Sequence, residues 1–203
     1  FLCAQCGQKT NVLTCPHCQS SALLNNRYRL HELIGQGAAG STYRSWDSKQ
    51  EQWVALKELP WRLGDEQRRK QRLLQEATIL QQIDHPQTPR YIDHFFLKEG
   101  RHRSLCIVQE FIAGPTLLEA VERRRFSQKE VWELAESLLQ VLCYLHELSP
   151  PLIHRDIKPS NIILAEDAPV LIDFGAVRDA LIDRSINSSI FAGTFGYMAP
   201  EQL

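Results

Sequence analysis

The 203 residues carry 23 Lys+Arg against 24 Asp+Glu, and 43% of them are hydrophobic. This is ordinary globular composition, which excludes wholesale disorder, a collagen-like repeat and a disulfide mesh. A formal net charge of −1 supplies no bulk attraction to nucleic acid or anionic membrane, and no apolar run approaches the roughly 20 residues that cross a bilayer.

The chain opens Phe1-Leu2-Cys3, without a Met and without the basic and apolar regions of a secretory signal; a fragment or processed chain is expected. Four of its six cysteines follow at once, as Cys3-x-x-Cys6 and Cys15-x-x-Cys18 with eight residues between the pairs. Residues 1–20 are too polar and too short to bury a core, so something must staple them. Two CxxC pairs without a secretory signal point to metal in a reducing, cytoplasmic compartment rather than to disulfides. Four thiolates suit tetrahedral, structural Zn²⁺, and the pattern resembles a zinc ribbon; an iron site of rubredoxin type uses similar ligands. His17 reads as a spectator. Without metal this segment should be unfolded. Lys9 is its only basic residue, which favours a protein or intramolecular contact over nucleic acid.

Residues 21–27 read as a linker, and no internal repeat stands out. Strand signals begin at Tyr28–Ile34, pass through Gly35-Gln36-Gly37-Ala38-Ala39-Gly40 and resume at Ser41–Ser45. Gln52–Glu58 is the next β-rich run. Leu73, Ala77, Leu80 and Ile83 recur at helical spacing, predicting a helix over Asp65–Ile83 with Glu76 on the same face. Tyr91–Leu97 and Ser104–Phe111 read as strands. Ser127 with Glu130 is a capping box, and Val131, Leu134, Ala135, Leu138, Leu142 and Leu145 predict a buried amphipathic helix over Ser127–Glu147. Short β-rich runs follow at Leu152–His154, Ile162–Ala165 and Val170–Ile172. Cys106 and Cys143 read as small core residues, and Trp53, Trp61 and Trp132 as packing residues. A strand-rich half followed by a helix-rich half predicts two lobes, whose boundary is a favoured ligand site.

The glycine pattern alone is weak, and because it joins two strands it is not the strand-to-helix dinucleotide fingerprint. Val54-Ala55-Leu56-Lys57 places an ammonium at the end of an apolar strand, and Glu76 is its available partner. His154-Arg155-Asp156-Ile157-Lys158-Pro159-Ser160-Asn161, Asp173-Phe174-Gly175 and Ala199-Pro200-Glu201 complete an ordered set. Together these motifs resemble the eukaryotic-type protein kinase family, of the bacterial and cyanobacterial kind, over residues 28–203. The resemblance implies an α+β bilobal fold, with a β-rich N-lobe and a helical C-lobe, following the zinc ribbon. It implies ATP with Mg²⁺ or Mn²⁺ as cofactors. Gly35, Gly37 and Gly40 would cover the phosphates, and Lys57, fixed by Glu76, would hold them. Asn161 and Asp173 would ligate Mg²⁺, Asp156 would take or orient the substrate hydroxyl proton, and Lys158 would offset developing charge. Ile34, Thr42, Ala55 and Ile163 would surround the adenine, and Glu110 and Ile112 belong to the hinge that reads it.

Asp156-x-Lys158-x-x-Asn161, with Thr194 in Gly193-Thr194-x-x-Tyr197, resembles the serine/threonine class, so protein substrates bearing Ser or Thr are implied. Ser188, Ser189 and Thr194 lie in the segment corresponding to the activation loop. Ser188 or Ser189 is expected to be an activating autophosphorylation site, phosphorylated within a dimer. The match departs at Thr42, where the family carries valine, and at the Ala38-Ala39 tip. The family's C-lobe continues past Ala-Pro-Glu while this chain stops at Leu203, so an incomplete lobe with an exposed apolar face is expected. A nucleotide-binding scaffold without catalysis is the rival implied by that truncation.

Overall fold

The computed structural model describes residues 1–37, 40–60, 74, 77–99, 102–174, 178–179, 194 and 196–198. The chain forms two compact units, one of Phe1–Ala77 with Tyr91–Phe111, the other of Thr78–Arg90 with Ile112–Leu203.

The first unit is built on an antiparallel five-stranded sheet. Its strands are β1 (Tyr28–Gly37), β2 (Gly40–Asp47), β3 (Gln52–Pro60), β4 (Tyr91–Glu99) and β5 (His102–Glu110), in the order β1-β2-β3-β5-β4. Strand alternation explains its core. Val54 and Leu56 of β3 point to one face and meet Cys106 and Val108 of β5, with Tyr28, Leu30 and Phe95 completing a buried cluster. Ala55 and Lys57 point to the other face.

The N-terminal segment packs on the cluster side. Leu24 is part of the cluster, and Leu2 and Ala4 pack against it. Residues 21–27 form a turn that returns the chain to the sheet: Leu24 and Tyr28 exchange backbone hydrogen bonds of 2.9 Å each way. Asn25 and Asn26 adopt left-handed φ of 48° and 52° there, a conformation asparagine tolerates. Arg27 locks the turn. It donates to both oxygens of the fully buried Asp47 (2.8 and 2.7 Å) and to Asp93 (3.2 Å), which also accepts from the Tyr28 hydroxyl at 2.8 Å. Burial pushes the Asp47 carboxyl up, but Arg27 and the N–H groups of Lys49 and Gln50 outweigh it and hold the group below its usual range.

The first twenty residues contain a repeat that the sequence did not announce. Cys3 N–H bonds Gln8 O and Gly7 N–H bonds Cys3 O; twelve residues later Cys15 N–H bonds Ser20 O and Gln19 N–H bonds Cys15 O. The bridges Leu2↔Lys9 and Thr14↔Ser21 keep the same offset. Gly7 and Gln19, at equivalent positions, both take left-handed φ, 69° and 59°. Only the cysteines survive as identical residues in the two copies, so a search for similar side chains passes over the repeat.

In the second unit, α1 (Leu117–Arg123) and α2 (Gln128–Glu147) each begin with a complete capping box, Thr116/Glu119 and Ser127/Glu130. The N–H and hydroxyl of Ser127, with Arg124, hold the Glu130 carboxyl down at about 2. The expected helix α2 is present, but it is not buried along its length. Val141 and Leu145 are buried, whereas Val131 of the predicted stripe is 51% exposed and Trp132 is 67% exposed. The helix meets β6 (Leu152–Ile153) and β8 (Pro169–Leu171), and its buried residues are confined to its C-terminal half. Cys143 is also exposed, unlike the buried Cys106; it lies two residues, about 200° of helical turn, from both Val141 and Leu145. Of the helix predicted over 65–83, residue 74 and residues 77–80 are described and helical, whereas 81–83, also described, have already left the helix through a turn.

Candidate active site

The glycine-rich stretch is a β-hairpin. Gly35 pairs with Thr42, Gln36 with Ser41 and Gly37 with Gly40; Ala38 and Ala39, at its tip, lie outside the described residues. Gly40 is required by packing, because a Cβ there would meet the Glu58 carbonyl oxygen at 2.0 Å. At Gly37 a Cβ would meet nothing, so that glycine answers no demand of the protein's own packing. Thr42 pairs in turn with Lys57, and Lys57 with Ile107. Directly opposed residues face the same side of a sheet, so Gly35, Thr42, Lys57 and Ile107 form one row across four strands. Ala55 stands two positions along on that face, beside this row. Ile34 is 47% exposed, and Glu110 is half-buried at the end of β5. Glu76 lies outside the described residues.

The second unit holds a cluster around Asp156 in the loop between β6 and a short 3₁₀ turn at Pro159–Asn161. Its buried anchor is His154, only 1% exposed, whose ring lies edge-on to Phe174 with centroids 4.9 Å apart. His154 Nδ1 accepts the Asp156 N–H at 3.3 Å, which leaves Nε2 as the donor toward Ile172 O, also at 3.3 Å. Arg155 and Asp173 hold left-handed φ of 66° and 62°, sparsely populated conformations for residues with a Cβ.

Every oxygen of Asp156 is engaged. Asn161 donates from Nδ2 to its backbone O (2.8 Å) and to Oδ2 (3.0 Å), Lys158 Nζ lies 2.8 Å from Oδ2, and the Thr194 hydroxyl donates to Oδ1 at 2.7 Å. Lys158 Nζ also donates to the Thr194 hydroxyl. Burial pushes the Asp156 carboxyl up, but the hydrogen bonds from Lys158 and Thr194, the Lys158 charge and Asn161 prevail, so the group stays below its usual range. It is therefore an anion at neutral pH, already holding a hydroxyl proton donor. Asn161 is 5% exposed. Its side-chain bonds to Asp156 both use the amide nitrogen, and its carbonyl oxygen, like the Asp173 carboxylate, is the hard oxygen that Mg²⁺ selects. Ile112 is half-buried in this unit, as is Ile163 on β7 (Ile162–Leu164), which bridges to Thr116. Ser188 and Ser189 lie outside the described residues.

The four N-terminal cysteines converge. The Sγ atoms of Cys3, Cys6, Cys15 and Cys18 all lie within 4.8 Å of one another, with Cys3–Cys18 at 3.7 Å and Cys6–Cys15 at 3.6 Å. A tetrahedron of Zn–S bonds near 2.3 Å has edges of about 3.8 Å, so the set fits that ion. His17 is not among the converging ligands. The N–H groups of Cys18 and His17 pull the Cys15 thiol down to about 6. Cys6 is held up at about 12: the N–H of Gln8 favours its thiolate, but burial and the three neighbouring sulfurs oppose it more strongly. Were all four deprotonated at these distances, a cation among them would offset their mutual repulsion.

A profile described as protein kinase domain matches residues 28–203. The chain belongs to the protein kinase family. The chain is 37% identical to serine/threonine-protein kinase C of Synechocystis over 89% of its length, and 34% identical to serine/threonine-protein kinase B of the same organism over 95% of it. Mouse serine/threonine-protein kinase tousled-like 2 is 31% identical over 88% of the chain. The chain spans about a third of the length of the two Synechocystis kinases, 35% and 36%, and 26% of the mouse protein. Among the described residues no helix is long and apolar enough to cross a membrane.

The described motif residues fall in both units, Gly35, Thr42 and Lys57 in the first and Asp156, Lys158 and Asn161 in the second. What the sequence reading missed is the support. The motif carries His154 without marking its burial, yet its ring anchors the loop around Asp156; the one signal is a histidine between apolar Ile153 and a charged pair. Thr116-x-x-Glu119 has the spacing of a capping box, and that spacing is the sequence signal for the start of α1.

Proposed function

We propose that the chain is the catalytic part of a protein serine/threonine kinase that transfers the γ-phosphoryl of ATP to Ser or Thr hydroxyls. The observation that carries this reading is the Thr194 hydroxyl donating to Asp156 at 2.7 Å while Lys158 reaches both. An anionic carboxylate that receives an alcohol proton, beside an ammonium, is the arrangement that orients a hydroxyl nucleophile and offsets charge on the phosphoryl group. Asp156 takes or orients the proton, and Lys158 balances the charge. Lys57, fixed by Glu76, holds the ATP phosphates under the hairpin of Gly35, Gly37 and Gly40. Ile34, Thr42, Ala55 and Ile163 enclose the adenine, with Glu110 and Ile112 at the hinge. Asn161 and Asp173 hold Mg²⁺, which supplies charge neutralisation across the phosphates when bound.

The four cysteines hold structural Zn²⁺ in this reading; elemental analysis giving iron, or no metal, would overturn it. Cysteine pairs read as metal ligands rather than disulfides support a reducing, cytoplasmic setting. Ser188 or Ser189 is the proposed autophosphorylation site, acted on within a dimer, and mass spectrometry of active enzyme with neither serine modified would remove that assignment.

The test is transfer of ³²P from Mg-ATP to a generic Ser/Thr substrate by the chain, alone and extended at its C-terminus, beside Asp156→Asn. Transfer is expected from the extended form, falling by at least ~100-fold in Asp156→Asn. No transfer from the extended form defeats the proposal.

A further inference from the structure

The sheet that carries Lys57 has a second face and a free edge, and both are covered by the metal module. Strand β1 lies at the end of the sheet order, where unpaired N–H and C=O groups would otherwise face water. Leu2 pairs with Leu30 there: its N–H donates to Leu30 O at 2.7 Å. Alternation then sends the neighbours of this short added strand to opposite sides. Leu2 joins the apolar cluster of Tyr28, Leu30, Val54, Leu56 and Val108. Phe1 goes to the other side, edge-on to His31 at 5.7 Å and beneath Arg29 at 4.8 Å. His31 in turn lies edge-on to Trp53 of β3 at 5.1 Å.

The first knuckle begins at the very next residue. Cys3 N–H bonds Gln8 O at 2.8 Å, the Phe1 carbonyl accepts from Thr10 N–H at 2.9 Å, and Ala4 N–H reaches Ala22 O at 3.4 Å. The conformation that presents Leu2 to β1 is therefore set by the turn around the sulfurs. Residues 1–20 have no core of their own to preserve it without the metal. On the far side, Leu56 and Lys57 are consecutive on β3, one in the cluster under the module, the other in the row with Gly35 and Thr42.

We propose that metal occupancy of the four-cysteine site sets nucleotide affinity, with Leu2 as the positioning residue that transmits it through β1 and β3 to the glycine hairpin and Lys57. The zinc and ATP readings above underlie this coupling. The metal-held module thus adds a single bridge to the edge of the nucleotide-binding sheet and covers its apolar face, and metal supply is an input to the kinase.

The experiment uses the intact 203-residue chain, a fluorescent ATP analogue with excess Mg²⁺, and elemental analysis of every sample. Stripping zinc with a zinc-selective chelator should raise the nucleotide Kd about tenfold, the value for a binding-competent sheet held by roughly a tenth of the chains. Leu2→Asp should keep its zinc and show the same rise. Hydrogen exchange on the wild type needs no variant: on zinc removal residues 28–37 and 52–60 should lose protection while residues 128–147 keep theirs. An unchanged Kd after zinc loss overturns the coupling. So does protection retained in 28–37 and 52–60, or lost equally in 128–147. A zinc-loaded Leu2→Asp chain with wild-type Kd removes Leu2 from its role. A wild-type chain that contains no zinc, or binds no nucleotide, instead overturns the reading beneath the proposal, and is recognised as such before any perturbation.

Discussion

The two cysteine knuckles share one backbone and differ in what surrounds them. Residues 2–9 and 14–21 repeat the same hydrogen bonds, the same bridge and the same left-handed fifth position counted from the first cysteine. Leu2 of the first copy is half-buried against the sheet, whereas its counterpart Thr14 is exposed; Ala4 is half-buried, and its counterpart Pro16 is exposed. The backbone is therefore dictated by the sulfurs, which both copies supply, and the side chains by docking, which one copy performs. The cysteine cluster specifies the turn, while contact with the kinase sheet specifies the residues on it.

Substitutions can break that division or sharpen it. The largest effect is expected where the copies are equivalent. Cys3→Ser and Cys15→Ser should each reduce zinc affinity by more than the ~10–100-fold that an outer partner of a ligand commands, to similar extents. Competition with a zinc-binding dye reads this, and a gap of tenfold between the two would end the equivalence. Next come the residues in which the copies differ. Leu2→Ala should lower stability by about 1–2 kcal/mol, since it uncovers part of the cluster, whereas Thr14→Ala should stay within about 0.5 kcal/mol. Urea midpoints at constant zinc decide between them; equal losses would mean that docking is not what separates the copies. The smallest effect belongs to the left-handed position. Gly7→Ala should cost about 1 kcal/mol from backbone conformation alone, as its new Cβ would meet nothing within 4 Å. Gln19→Gly should be neutral or stabilising by up to about 1 kcal/mol. A destabilised Gln19→Gly chain would show that the Gln19 side chain, bonded to Pro16 O at 3.0 Å, outweighs the strain.

Much of this was legible before any coordinate. The five strands of the sheet announce themselves through β-branched and aromatic runs between turn residues, and the structure extends several by two or three residues, as at Pro60 and Glu99. The Ser127 cap marked the start of α2 to the residue. Asp156, Lys158, Asn161 and Thr194 were named from motif order, and four side chains from 156 to 194 do meet. What stayed hidden depends on partners distant in sequence. The Arg27–Asp47–Asp93 network joins residues up to 66 positions apart, and no local pattern encodes it. The exposure of Val131 follows from which part of α2 meets β6 and β8, and that of Cys143 from the face it occupies between Val141 and Leu145, whereas periodicity reports only that a stripe exists. The docking of Leu2 on Leu30 is a single bridge, too short to leave a strand signature.

Trp46 and Trp53 lie edge-on at 5.2 Å, with the Arg44 guanidinium 4.1 Å above Trp53, while Trp132 stands 67% exposed on α2. Among the described tryptophans, iodide should therefore quench Trp132 first. Trp46 and Trp53 are joined through His31 to Phe1, so in a chain with Trp61→Phe and Trp132→Phe the emission of this pair reports whether the N-terminal segment is seated on the sheet, with no label added.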